Sequence, residues 1–155
     1  MTKSMSLLLL LVFMASLMLA VASLKNNVER KIDALLAQMT LEEKLGQLQQ
    51  LDGHWDGRYR EEQVDFARRG VLGSTLNVRG AKRTNELQRI AVEESRLKIP
   101  LIFGFDVIHG YRTIFPVPLG EASSWDPTVV ERSASIAAAE ARASGVHWTF
   151  APMVD

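Results

Sequence analysis

Asp106 is the ionisable residue best placed to do chemistry, in the stretch FGFDVIHGYRTIFP from Phe103 to Pro116. An apolar run, IPLIFGF, leads into it and a His-Gly turn leads away. Asp155 stands in the same relation to a second run, VHWTFAPMV. A carboxylate at the end of a buried strand can accept charge-assisted, directional hydrogen bonds from the hydroxyls of a sugar. It can equally close a loop by accepting bonds from nearby backbone N–H groups. Position alone leaves both readings of Asp106 open.

The other reactive side chains point to less. Asp106 and His109 form a DxxH pair, but further ligands at a spacing that zinc would need are lacking. His109 is expected to pack behind its loop, bonded to backbone, and no metal site is assigned. His54 and His147 are isolated and read as structural or exposed. Arg112 beside Thr113 could meet an anion, and the preferred reading is an arginine that braces a long loop. Trp125 precedes a helix cap and Trp148 lies in a strand run, so both are expected in the core. Trp55, in a polar loop, is the freest of the three tryptophans to stack on a sugar ring. No serine stands in a GxSxG elbow.

These residues need elements to hold them. Val28, Ile32, Leu35, Leu36 and Met39 recur at helical spacing. Thr40 and Glu43 then form a capping-box signature for a second helix, LEEKLGQL, followed by a first strand within QLQQLDG. GHWDGRYREEQ is read as loop, VDFARRG as a short helix ending at Gly70, and VLGSTLNV as a second strand. A helix is expected from Thr84 to Lys98. IPLIFGFD follows as a strand covered on both faces, because its apolar run is continuous. VIHGYRTIFPVPLGEASSW is a long loop. Asp126 then caps a helix with Pro127 in its first turn, ending at Gly145, and VHWTFAPMVD is a fourth strand.

Strand and helix alternate throughout, which implies parallel strands joined by crossover helices. A doubly wound sheet binding nucleotides would usually carry a glycine-rich turn after its first strand, and neither GxGxxG nor GxxxxGK occurs. A (β/α)8 barrel takes about 250 residues, so the expected fold class is α/β, the N-terminal half of a (β/α)8 TIM-type barrel truncated after about the fourth strand. In either architecture function gathers at the carboxyl ends of the strands.

The chain has 155 residues, 47% of them hydrophobic, with 18 basic and 18 acidic side chains and no cysteine. Residues 1–22 carry a basic start at Lys3, a short apolar core and Ala20-Val21-Ala22, the pattern of a secretory signal cleaved after Ala22. An uncleaved anchor is the alternative, disfavoured because the apolar run is short of the about 20 residues a span needs. The expected division is therefore residues 1–22 as signal peptide and 23–155 as a partial barrel domain, periplasmic or secreted, with no stable membrane anchor. Near-neutral charge gives no reason to expect nucleic acid as a partner. Lack of cysteine excludes a disulfide scaffold and a cysteine nucleophile.

KIPLIFGFDVIHGYRTIFPVPLGEASSWDP resembles the third-strand signature of glycoside hydrolase family 3, the exported bacterial β-glucosidase type. The resemblance runs from MTLEEKLGQL through NELQRIAVEESRLKIP to GVHWTFAPMVD, and the block from Phe103 to Pro118 is its most specific part. DVIHGYR stands where the N-acetylglucosaminidase branch has DxEGGR, which favours the β-glucosidase and β-xylosidase side. The resemblance implies a barrel domain, a β-glucoside or oligosaccharide substrate, no cofactor, and a retaining hydrolase of terminal β-D-glucosyl residues. It assigns Asp106 to substrate binding, holding hydroxyls of the sugar beside the scissile bond. Family members continue into an RDPRWGR-like segment, a Lys-His pair and an SDW-like segment whose aspartate is the nucleophile, with the general acid/base usually in a following domain. Residues 1–155 contain none of these, so no catalytic residue is assigned and the chain alone is expected to be an inactive N-terminal part. The alternatives are a non-catalytic sugar-binding or half-barrel pairing protein of the cell envelope, and a scaffold without a sugar site.

Overall fold

A computed structural model describes Met14 and residues 27–153. The expected signal segment and Asp155 lie outside the described residues. No helix among the described residues is long and apolar enough to cross a membrane. The chain divides into two compact units, Met1–Met39 and Thr40–Asp155. Within the first, residues 27–38 form helix α1 with the expected apolar spacing, and Met39 N–H closes on Leu36 O at 3.3 Å.

The second unit holds the elements that matter for chemistry. They are α2 (Leu41–Gln47), β1 (Gln50–Asp52), α3 (Glu61–Arg69), β2 (Ser74–Leu76), α4 (Ala81–Arg89), a π-helical turn (Ile90–Glu94), β3 (Ile102–Phe105), α5 (Pro118–Ala122), α6 (Pro127–Ala143) and β4 (Trp148–Thr149). All three strand pairs are parallel, and the sheet order is β1-β2-β3-β4. Sequential order with right-handed crossovers puts every connecting helix on the same side of the sheet. A doubly wound sheet reverses its order at a switch point, so this is the barrel arrangement.

Sheet register follows from that one-sided cover. Thr75 pairs with Phe103 on one face, and both are almost wholly buried, at 0% and 2% exposed. Phe103 packs in a cluster with Leu72, Leu87, Ile90 and Leu101, under α3 and α4. Gly104 pairs with Trp148 on the opposite face, where Ile102 is 46% and Trp148 45% exposed. Among the described residues the continuous apolar run of β3 is thus fully covered on one face only, the other leaving Ile102 and Trp148 part-exposed around buried Gly104. A second cluster, Val107, Ala137, Ala141 and Val146, seats α6 behind the end of β3.

Local chemistry explains where elements start and stop. The capping box at α2 is formed as expected: Thr40 Oγ1 accepts from Glu43 N–H at 3.2 Å, and Glu43 Oε2 accepts from Thr40 N–H at 2.8 Å. Asp126 caps α6, accepting from Thr128 N–H at 2.9 Å. Helix α3 begins at Glu61, ahead of the expected Val64, because buried Gln63 bonds Arg60 N–H at 2.8 Å and Leu51 O at 3.0 Å. The expected helix to Lys98 ends early. Ser95 donates to Ala91 O and accepts from Lys98 N–H at 3.1 Å, while Lys98 turns left-handed at φ 57°. The long loop contains α5, opened by Pro118 at its first position.

The tryptophans correct the sequence reading. Trp125, expected in the core, is 92% exposed, because it occupies the left-handed turn (φ 56°) that feeds the Asp126 cap. Trp148 stands on the less covered sheet face, 45% exposed, with its ring 4.9 Å from that of Phe150. Trp55 is 90% exposed, as its polar loop suggests.

Candidate functional site

Three strand ends meet at the carboxyl edge of the sheet. Asp52 closes β1, Asn77 follows β2, and Asp106 follows β3. Asn77 takes a left-handed backbone (φ 65°) and its Nδ2 donates to Asp52 Oδ1 at 2.7 Å, tying the first two ends together. Asn tolerates that backbone better than most residues because its short side chain bonds locally. Sequence reasoning passed over both Asp52 and Asn77. The signal was available: a polar pair just past two short strand runs.

Asp106 differs from Asp52. It is exposed, and its carboxylate takes no hydrogen bond from any described residue. The loop-closing alternative is therefore not how this loop is held. Val107, next in the chain, adopts φ 51° with its side chain buried at 5% exposure. A β-branched residue in that region costs on the order of 1–3 kcal/mol and persists only where packing over-determines it. Here the packing is Ala137, Ala141 and Val146, so α6 and its cluster fix the bend immediately after Asp106.

The rest of the loop is pinned by one residue that the sequence did not flag. Glu140 of α6 accepts from Arg112 N–H at 2.8 Å, Thr113 N–H at 2.9 Å and the Thr113 hydroxyl at 2.6 Å. The Thr113 hydroxyl bond, followed by the two backbone bonds, holds the Glu140 carboxyl below its ordinary pKa. Arg112 joins this bracing through its backbone N–H. Gly110, at φ 115°, has no room for a Cβ, which would lie 2.0 Å from Thr113 O. His109 Nδ1 is 3.1 Å from Phe115 O, a backbone bond as expected, although the ring is exposed rather than packed. No group of three or more potential metal ligands occurs among the described residues. His147 is structural: its Nδ1 accepts from Phe103 N–H at 3.3 Å and ties the two last strands.

On the β1 side the turn carrying Trp55 is closed by its own backbone hydrogen bonds. His54 N–H bonds Arg58 O at 2.8 Å, and Gly57 N–H bonds His54 O at 2.9 Å. Asp56 is held below its ordinary pKa by the Arg58 backbone N–H first and by the Arg58 guanidinium, at 2.6 Å, after it. A cavity of about 190 Å³ lies behind the β3 loop, lined by Val107, Ile108, Phe115, Ala134, Ala137 and Pro152 among others. Its lining is mainly apolar, suited to packing rather than to gripping hydroxyls.

Residues 40–155 match the profile of the glycosyl hydrolase family 3 N terminal domain. The chain belongs to glycosyl hydrolase family 3. It is 39% identical over 121 residues to a periplasmic beta-glucosidase of Salmonella typhimurium, covering 78% of this chain and 16% of that protein. A crystal structure of a beta-glucosidase from Listeria innocua in complex with glucose superposes with a TM-score of 0.69 at 36% identity, over 81% of this chain and 19% of that one. A family 3 beta-N-acetylglucosaminidase from Paenibacillus is also similar, with a TM-score of 0.61 at 25% identity, over 74% of this chain and 24% of that one. The chain thus spans less than a fifth of the first two relatives. Family membership accounts for the sequential parallel sheet and agrees with the resemblance carried by the block from Phe103 to Pro118.

Proposed function

We propose that this chain is the N-terminal barrel segment of an exported, retaining β-glucosidase, and that Asp106 clamps hydroxyls of the terminal glucosyl unit. The observation that carries the reading is the Asp106 carboxylate itself. It stands at the carboxyl edge of a barrel-type sheet, exposed and without a hydrogen bond from the described residues, on a bend fixed by buried Val107. A carboxylate with no protein partner keeps its full acceptor capacity for a ligand. The similarity to a periplasmic beta-glucosidase supports glucoside chemistry and an exported location.

Retaining hydrolysis uses two carboxyl groups about 5–5.5 Å apart, one attacking the anomeric carbon and one protonating the leaving oxygen. In the proposed enzyme both belong to segments beyond residue 155. Asp106 supplies orientation: by fixing ring hydroxyls it holds the anomeric carbon before the attacking group, and such positioning lowers the activation barrier of the reaction. No cofactor enters this scheme, and the 155-residue chain alone is expected to be inactive.

The test combines intact mass and stereochemistry on protein purified from the exported fraction of the source cells. A species several times heavier than this chain that cleaves an aryl β-glucoside, with the β-anomer of glucose as first product by NMR, supports the reading. A species of residues 23–155 that binds glucose without cleaving glucosides would replace it with the sugar-binding alternative.

A further inference from the structure

Arg79 is half-buried at the carboxyl edge of the sheet, between the ends of β1 and β3. Arg58, Arg68, Arg69, Arg89 and Arg96 each pair with a carboxylate. Arg79 has no such pair among the described residues. It makes three contacts of another kind. Its backbone N–H donates to Gly57 O at 3.0 Å, and its Nη2 donates to Trp55 O at 2.7 Å. Its guanidinium carbon lies 4.8 Å from the centre of the Phe105 ring. That ring and Tyr111 form a T-shaped pair, 5.7 Å between centroids at an angle of 84°.

One side chain therefore links the turn that displays Trp55 to the residue immediately before Asp106. Gly57, at φ 85°, lets the turn lie against Arg79, since a Cβ there would sit 3.2 Å from both Arg79 Cβ and Nε. Phe105 is held from two directions, by the guanidinium and by Tyr111. A planar, delocalised cation can stack on a ring while it donates along its plane to a carbonyl, and lysine cannot do both. Arg60 and Arg83 also donate to backbone carbonyls, and Arg79 adds to such a bond the stacking contact with Phe105.

We infer that Arg79 is a positioning residue for sugar binding, which locks Phe105 and the Trp55 turn in register and thereby fixes the Asp106 carboxylate. The inference rests on the proposed role of Asp106 and adds a residue that acts through it.

The test is a double-mutant cycle in the full-length protein with Arg79→Lys and Asp106→Asn, reading the inhibition constant of gluconolactone and kcat/KM on an aryl β-glucoside. Arg79→Lys is expected to weaken gluconolactone binding and kcat/KM by about tenfold, because small displacements of a positioning group cost that much or more. On the Asp106→Asn background the same change is expected to cost less than about threefold, since coupled residues are non-additive. A residue that only stabilised the fold would lower the melting temperature and leave the gluconolactone constant of the folded protein unchanged. Phe105→Leu, which removes the ring and spares both Arg79 donors, is expected to show the same coupling and serves if Arg79→Lys does not fold. Equal losses on both backgrounds, or wild-type binding by Arg79→Lys together with weak binding by Asp106→Asn, would overturn the positioning role alone. Wild-type binding by Asp106→Asn would overturn the clamp reading and the positioning role with it.

Discussion

Truncating Asp106 to alanine separates function from stability more cleanly than any other change in this chain. The carboxylate is exposed and takes no hydrogen bond from the described residues, so Asp106→Ala removes no hydrogen bond among them. Its effect on folding is expected to stay within about 0.5 kcal/mol. A charge-assisted hydrogen bond to a ligand is worth about 1.5–3 kcal/mol, and a carboxylate that clamps two hydroxyls loses about 3–6 kcal/mol on removal. At 1.4 kcal/mol per factor of ten, kcat/KM should fall by about 10²–10⁴. Asp106→Asn keeps the shape and one oxygen acceptor, so its loss should be smaller. The assay is hydrolysis of an aryl β-glucoside by the full-length protein, beside thermal unfolding of the same preparations. Activity within about threefold of wild type at an unchanged melting temperature would refute the clamp. A drop in melting temperature beyond about 3 °C would instead mean that the side chain supports the fold.

Glu140→Ala should free the Arg112 and Thr113 backbone bonds and expose the loop after Asp106 to faster proteolysis and amide exchange than in wild type. Unchanged exchange at residues 108–115 would mean that the loop is held by other contacts. Glu43 has its pKa lowered to about 2, first by the Arg96 guanidinium at 2.6 Å and then by the Thr40 backbone bond. Because the folded value is depressed, its stabilisation is complete above its ordinary 4.5 and is lost as pH falls from there towards about 2. Denaturation curves of wild type and Glu43→Gln should therefore differ near neutral pH and converge in acid, and a gap that persists at low pH would contradict this. Leu87, fully buried under the sheet, should cost about 2–5 kcal/mol when cut to alanine. Chemical denaturation showing a loss below about 1 kcal/mol would mean that the first cluster is not the core of this unit.

How much was legible beforehand depends on the range of the interaction. Thr40 and Glu43 could be read because a capping box closes over three residues, and Asp126 with Pro127 likewise announce a helix through local backbone geometry. Helix ends set by distant partners could not. Gln63 extends α3 by reaching Leu51 O on β1, and the helix from α4 ends early around buried Ser95. Trp125 and Trp148 were misplaced for the same reason: an apolar side chain does not encode which face its neighbours will cover.

The site divides in the same way. The sequence by itself determined the alternation of strand and helix, the short strands, and the position of Asp106 at the end of an apolar run, since all of these follow from period, run length and turn chemistry. Only the tertiary structure decided the strand register, the one-sided cover of the sheet, and the partners that hold the mouth. Asn77 meets Asp52 across 25 positions, Arg79 meets the Trp55 carbonyl across 24, and Glu140 meets Thr113 across 27. Such contacts depend on parallel pairing and crossover packing, which bring distant segments to one edge through many weak terms acting together. No local pattern carries that information.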